Sequence, residues 1–145
     1  MQPLDTLERN KAVVRRFLEN IPDRNLEVLG ECLTDDVLQH YQRPTIQNDD
    51  GTQNATFLKG REGVLDEIRT YFYQLYRPGT VRVTIESIIA EGDLVSVRFI
   101  LAAVTTRKGE PYENFYHFHY RCSGGKIAEY WEYVDSLYAS AKLFT

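Results

Sequence analysis

Three short turns organise the second half of the chain: Glu91-Gly92-Asp93, Lys108-Gly109-Glu110 and Ser123-Gly124-Gly125. Each separates two runs rich in β-branched and aromatic residues. Glycine supplies the positive φ that a tight hairpin turn requires. A connection that short leaves no room for a crossover, so its flanking strands must be antiparallel. The runs Val81–Ala90, Leu94–Thr106, Tyr112–Cys122 and Lys126–Val134 are therefore predicted to form a four-stranded meander.

The first half reads as helix. Leu7, Val14, Phe17, Leu18 and Ile21 recur at helical spacing, which predicts a helix from Asp5 to Asn20. Asp5 can cap it, with Glu8 three residues on as in a capping box. Pro22 ends it. A shorter helix starts near Asp23, with Leu26, Leu29 and Leu33 on one side. A short strand is expected over Asp36–Gln42, then a polar loop from Arg43 to Gly60, long enough to serve as a lid. A third helix is predicted over Arg61–Tyr76, buried through Val64, Leu65, Ile68, Tyr71, Phe72 and Leu75 and stopped by Pro78-Gly79. Helices first and strands after is the α+β pattern. At 145 residues the chain fits one domain spanning 1–145.

The expected fold is an α+β one, a curved antiparallel sheet packed on three helices: the meander plus the short N-terminal strand. The second meander strand is apolar on both faces, with Val95, Val97, Phe99 and Leu101 one way and Ile100, Ala102 and Val104 the other. Helices cover one face only. The other is expected to meet a second copy, which predicts a homodimer through the outer sheet face.

Composition narrows the partners. The net charge is −4 and no basic stripe stands out, so nucleic acid is not expected. No apolar run approaches the ~20 residues of a membrane helix. Two cysteines make no disulfide framework, and no signal peptide is seen, so a soluble, cytoplasmic protein is expected.

Several segments, taken in order, carry a family resemblance. They are Lys11-Ala12-Val13-Val14-Arg15-Arg16-Phe17, Leu33-Thr34-Asp35-Asp36-Val37-Leu38-Gln39-His40, Gly60-Arg61-Glu62-Gly63, Gly125-Lys126-Ile127-Ala128-Glu129 and Glu132-Tyr133-Val134-Asp135. The chain resembles the SnoaL-like branch of the nuclear-transport-factor-2-like superfamily, which includes polyketide cyclases, ketosteroid isomerase and limonene epoxide hydrolase. The resemblance implies a cone with the ligand inside, and a dimer. It also implies what is missing. Phe17 stands where ketosteroid isomerase has an oxyanion-donating tyrosine. Phe99 and Leu101 stand where limonene epoxide hydrolase carries Arg-x-Asp. Asp135 matches the pocket aspartate of the SnoaL-like cyclases, and His40 matches a family histidine.

The candidate catalytic residues are therefore Asp135 and His40. Asp135 closes a strand that carries Trp131 and Tyr133 on one face, and a carboxylate among aromatics is desolvated, as a general acid or base near neutral pH must be. It equally suits the N-cap of a terminal helix beginning at Ser136. Histidine can shuttle protons at neutral pH. Asn114 and Tyr116 are the expected polar ligand-binding groups, and Phe17, Phe72, Tyr76, Phe99, Trp131 and Tyr133 the expected aromatic wall. His117 and His119 fall on the less apolar face of their strand, so no metal site is expected.

The expected function is cofactor-independent acid–base chemistry on a small apolar carbonyl compound: isomerisation, cyclisation or elimination. The alternative is a non-catalytic small-ligand binding protein of the same fold. A ligand-sized cavity is required by both.

Overall fold

The computed structural model describes residues 3–145, and of residues 3–4, 42–46 and 53–56 the backbone alone. The elements are α1 (Pro3–Glu19), α2 (Leu26–Glu31), β1 (Leu33–Gln47), β2 (Gln53–Lys59), α3 (Arg61–Thr70), a 3-10 turn (Phe72–Gln74), β3 (Arg82–Glu91), β4 (Leu94–Val104), β5 (Pro111–Ser123), β6 (Lys126–Val134) and α4 (Ser136–Leu143).

The meander forms as the glycine turns require. β3, β4, β5 and β6 pair antiparallel in succession. The sheet is wider than expected, and mixed. Its order is β2-β1-β6-β5-β4-β3, and β1 joins the meander by pairing parallel to β6. β2, α3, the 3-10 turn and the strands β3 to β5 separate β1 from β6 in the sequence, so no hairpin constraint fixes their relative direction.

Two sequence expectations are corrected. Residues 43–60 form the end of β1, a turn and the edge strand β2 rather than a loop. Asn48 and Asp50 hold that turn, the Asn48 amide donating to Thr52 O at 2.7 Å and the Asp50 carboxylate accepting from Thr52 N at 2.9 Å. Turn residues read as loop, but here they join two strands. The third helix ends at Thr70, six residues early. The chain then tightens into the 3-10 turn, which buries Tyr73 and Tyr76 together. The Arg24 guanidinium closes this turn by donating to the carbonyls of Tyr73 and Tyr76, each at 2.9 Å.

The core lies between the helices and one sheet face. Val14, Phe17, Leu18 and Ile21 of α1 and its C-terminal turn, with Val64 and Ile68 of α3, pack over Val95, Val97, Phe99 and Leu101 of β4. Each such side chain contributes roughly 1.5–3 kcal/mol when fully buried. Bulges interrupt β3 between Ile85 and Ser87 and β6 beside Cys122. Such irregularities bend a strand and increase its twist, as a sheet wrapped round helices requires.

The bulge in β6 decides what the sheet shows to the interior. Cys122 faces Ile127 and Arg121 faces Glu129, so Ala128 is an extra residue. A regular strand would continue inward from Ile127 through Glu129, Trp131 and Tyr133. The extra residue reverses that parity, and Tyr130 and Glu132 turn inward instead.

Candidate functional site

A cavity of about 140 Å³ opens inside the fold between the helices and the sheet. Its apolar wall comes from Phe17, Leu18 and Ile21 on the α1 side, Ile68 and Phe72 from the α3 side, and Val83, Phe99 and Leu101 from β3 and β4. Tyr71, 46% exposed, forms part of the rim. β5 contributes Tyr116, Phe118 and Tyr120 by simple alternation.

The polar groups gather on one side. Glu132 of β6 projects between them, and Gln39 of the parallel neighbour β1 donates its amide to the Glu132 carboxylate at 2.5 Å. The other end of Gln39 accepts from the buried Tyr130 hydroxyl at 2.9 Å. The register explains this bridge, since Gln39 lies directly opposite Tyr130. Two residues along β1 from Gln39, Tyr41 donates to the Glu67 carboxylate of α3 at 3.0 Å.

Burial dominates the chemistry of Glu132. Removing the carboxylate from water pushes its pKa from 4.5 up to about 7. The hydrogen bond from Gln39 opposes this rise, and the nearby Glu67 charge adds to it. Glu132 is half-buried and lines the cavity. A carboxyl that exchanges its proton near neutrality, beside a dry aromatic wall, can serve as either general base or general acid.

The structure divides the expected site residues. It brings Phe17, Phe72, Phe99 and Tyr116 together on the cavity wall. It does not bring Asp135 there. Asp135 is exposed at the N-cap of α4, where its carboxylate accepts from Tyr138 N at 3.0 Å. Trp131 and Tyr133 also face away, because the Ala128 bulge reverses their side of the strand. Trp131 stacks on His40, with ring centres 5.2 Å apart and planes 9° from parallel. His40 lies on that outer face too, its Nε2 2.6 Å from a Glu129 carboxylate oxygen. Desolvation pushes the Glu129 pKa up, but hydrogen bonds from His40 and Arg121 outweigh it and leave the group below its ordinary value.

Asn114 and Tyr76 are buried but absent from the wall. The Asn114 amide is already spent within the protein. Its Nδ2 donates to Tyr112 Oη at 2.9 Å and to Asp135 O at 3.0 Å, and its Oδ1 accepts from Phe115 N at 2.8 Å. Tyr76 packs edge-on against Phe72 and tilted on Tyr112. Sequence reasoning missed Glu132, Gln39, Tyr41, Glu67 and Tyr130. No local sequence signal marks them: on alternation alone Tyr130 and Glu132 share a face opposite Trp131 and Tyr133, and only the bulge at Ala128 decides which face turns inward.

His117 and His119 lie on the outer face, both within hydrogen-bond reach of Ser96 Oγ, at 3.0 and 3.3 Å. Among the described residues no group of three or more His, Cys, Asp or Glu is placed to hold a metal ion. Among them, too, no helix is long and apolar enough to cross a membrane.

Comparison with known proteins agrees with the geometry. The profile of the SnoaL-like domain matches residues 14–130. Among solved structures, a SnoaL-like candidate polyketide cyclase from Jannaschia sp. CCS1 superposes with a TM-score of 0.79 at 16% identity, covering 99% of this chain and 95% of that one. IdmH, a candidate polyketide cyclase from Streptomyces antibioticus, is 25% identical over 100% of both chains, with a TM-score of 0.68. A candidate isomerase from Bacillus subtilis gives a TM-score of 0.74 at 16% identity, covering 98% of this chain and 95% of that one. Among curated proteins none matches.

Proposed function

We propose that this chain, which belongs to the SnoaL-like domain family, catalyses proton transfer on a small, largely apolar carbonyl compound, with Glu132 as the base and acid. The supporting observation is the placement of Glu132: an inward carboxyl in an aromatic cavity, titrating near 7. The ionised carboxylate removes a proton from the carbon beside the carbonyl. The C–H electron pair becomes a carbon–carbon double bond, and the carbonyl π electrons move to oxygen. Where the compound also carries a β,γ double bond, the same carboxyl returns the proton to the γ carbon as the oxygen's electrons reform the carbonyl and the double bond shifts into conjugation, giving isomerisation. If the enolate carbon instead attacks a second carbonyl of the same molecule, that carbonyl's π electrons move to its oxygen, the Glu132 carboxyl gives its proton to that oxygen, and a ring closes. The polyketide cyclase and isomerase descriptions of similar structures are consistent with both outcomes.

The test is hydrogen–deuterium exchange beside the carbonyl of acetophenone in heavy water, followed by NMR. Wild type should accelerate exchange over buffer, and Glu132→Gln should lose at least about 100-fold of that rate. Equal exchange by the two proteins would remove Glu132 from the reaction.

A second copy is the proposed partner of the outer sheet face. Phe115 and Tyr133 are 57% and 49% exposed there, beside a shallow depression that Glu86, Arg98 and His117 also line. Exposed aromatics on adjacent strands favour coverage by another apolar surface.

A further inference from the structure

The cavity wall carries charge of one sign. Glu67 and Glu132 both line it, and among the described residues no Lys, Arg or His does. The basic residues of α3 are engaged elsewhere, Arg61 with Asp35 at 2.8 Å and Arg69 with Asp66. The partners of the two cavity carboxylates are neutral. Tyr41 donates to Oε1 of Glu67, and Gln39 to Oε1 of Glu132. In each carboxylate the second oxygen meets no donor among the described residues.

Glu67 stands at the centre of this group. Tyr71 follows it by one helical turn, with its N–H donating to the Glu67 carbonyl at 2.9 Å, and residues so spaced share a helix face. Burial raises the pKa values of Glu132, Tyr41 and Tyr71, and the negative charge of Glu67 adds to the rise in all three. The face of an aromatic ring also attracts positive charge, so rings and carboxylates here select the same kind of ligand. An anion is repelled. A neutral ligand takes water from the carboxylates and leaves them unpaired, which is costly. A metal ion such as calcium wants about six to eight oxygens, more than this wall supplies. An organic ammonium ion matches both the apolar wall and its charge.

We propose that the carbonyl compound taken by this cavity also carries an ammonium group, and that Glu67 is the carboxylate that binds it, with the rings of Tyr41 and Tyr71 beside it. This rests on the assignment of Glu132 as base, and adds to it the charge of the substrate. The ammonium group makes and breaks no bond. Held at Glu67, it orients the molecule so that the carbon beside the carbonyl meets Glu132.

The test compares two ketones of one shape: γ-dimethylaminopropyl methyl ketone, a cation at neutral pH, and its hydrocarbon counterpart, isohexyl methyl ketone. Calorimetric titration of wild type should show the amino ketone binding at least about tenfold tighter, the size of a desolvated cation–ring contact. Added salt should narrow that gap. Glu67→Gln keeps an acceptor for Tyr41 and removes the charge, so it should bring the two affinities to within about twofold. Tyr71→Leu, at the half-exposed rim, should weaken the amino ketone more than the hydrocarbon, and Glu132→Gln should retain a preference for the cation. Deuterium exchange beside each carbonyl, followed by NMR in heavy water, reports separately on Glu132. Equal affinities in wild type would overturn the ammonium site and leave Glu132 in place. A preference that survives Glu67→Gln would overturn the role of Glu67. An amino ketone bound with preference, yet exchanging no faster than in buffer, would remove Glu132 as base and leave the ammonium site standing.

Discussion

Glu132→Gln should stabilise the protein at high pH and leave it unchanged at low pH. The substitution keeps the shape of the side chain and an oxygen that can accept from Gln39, but removes the buried charge. The carboxyl titrates at about 7 when folded against 4.5 in its ordinary setting. The folded state therefore binds more protons than the unfolded state between these values, and stability falls as pH rises through that window. At about 1.4 kcal/mol per pH unit, the rise from 4.5 to about 7 puts a penalty of about 3–4 kcal/mol on wild type once pH exceeds the folded value. Below about pH 4.5 the group is protonated in both states and the penalty vanishes. Urea unfolding followed by circular dichroism, for both proteins at several values from about pH 4.5 to 8.5, reads the difference directly. The gain in the variant should grow across this range. A difference that stays flat with pH, or a variant less stable than wild type at high pH, would refute a desolvated carboxyl at this position.

Three further outcomes follow from named contacts. Gln39→Leu removes the hydrogen bond that opposes the rise of Glu132, so the midpoint of its titration should move up, whereas Glu67→Gln removes a like charge and should move it down; pH profiles of proton exchange in the two variants check the opposite signs. Asp135→Ala should cost about 1 kcal/mol of stability, the usual loss for an N-cap, and leave ketone exchange unaltered; denaturation and exchange measured together check it. Charged substitution at Phe115 and Tyr133, as Phe115→Glu with Tyr133→Arg, should shift the mass found by sedimentation from dimer to monomer, and a wild type that is monomeric at every concentration would remove the dimer.

The meander was legible because its determinants are local. Gly92, Gly109 and Gly124 all adopt positive φ at the turns where short glycine connections were read. Alternation on β4 and β5 also chose the correct inner face, which is why Phe99 and Tyr116 were placed on the wall. The helix stripe through Val14, Phe17 and Leu18 did the same for α1. What escaped was non-local. The parallel pairing of β1 with β6 joins residues such as Gln39 and Tyr130 that are far apart in sequence. No side-chain period announces such a pairing, so the Gln39 bridge could not be foreseen.

The Ala128 bulge matters most. Simple alternation puts Trp131, Tyr133 and Asp135 on one face, and the family resemblance is what makes Asp135 the candidate acid. One unpaired residue reversed the face and exchanged one carboxylate for another. Alanine is unremarkable at a bulge that needs no positive φ, so nothing in the local sequence marks it. The family resemblance points to this strand end, and the carboxyl that lines the cavity there is Glu132, three positions upstream of Asp135.

The most direct test of the account is the titration of Glu132 itself, followed through the NMR signal of its isotope-labelled side-chain carboxyl carbon and assigned by its disappearance in Glu132→Gln. A midpoint near 7 is the predicted result. A midpoint in the range of ordinary exposed carboxyls, near 4.5, would mean that this group stands in water and that the cavity holds no neutral-pH base.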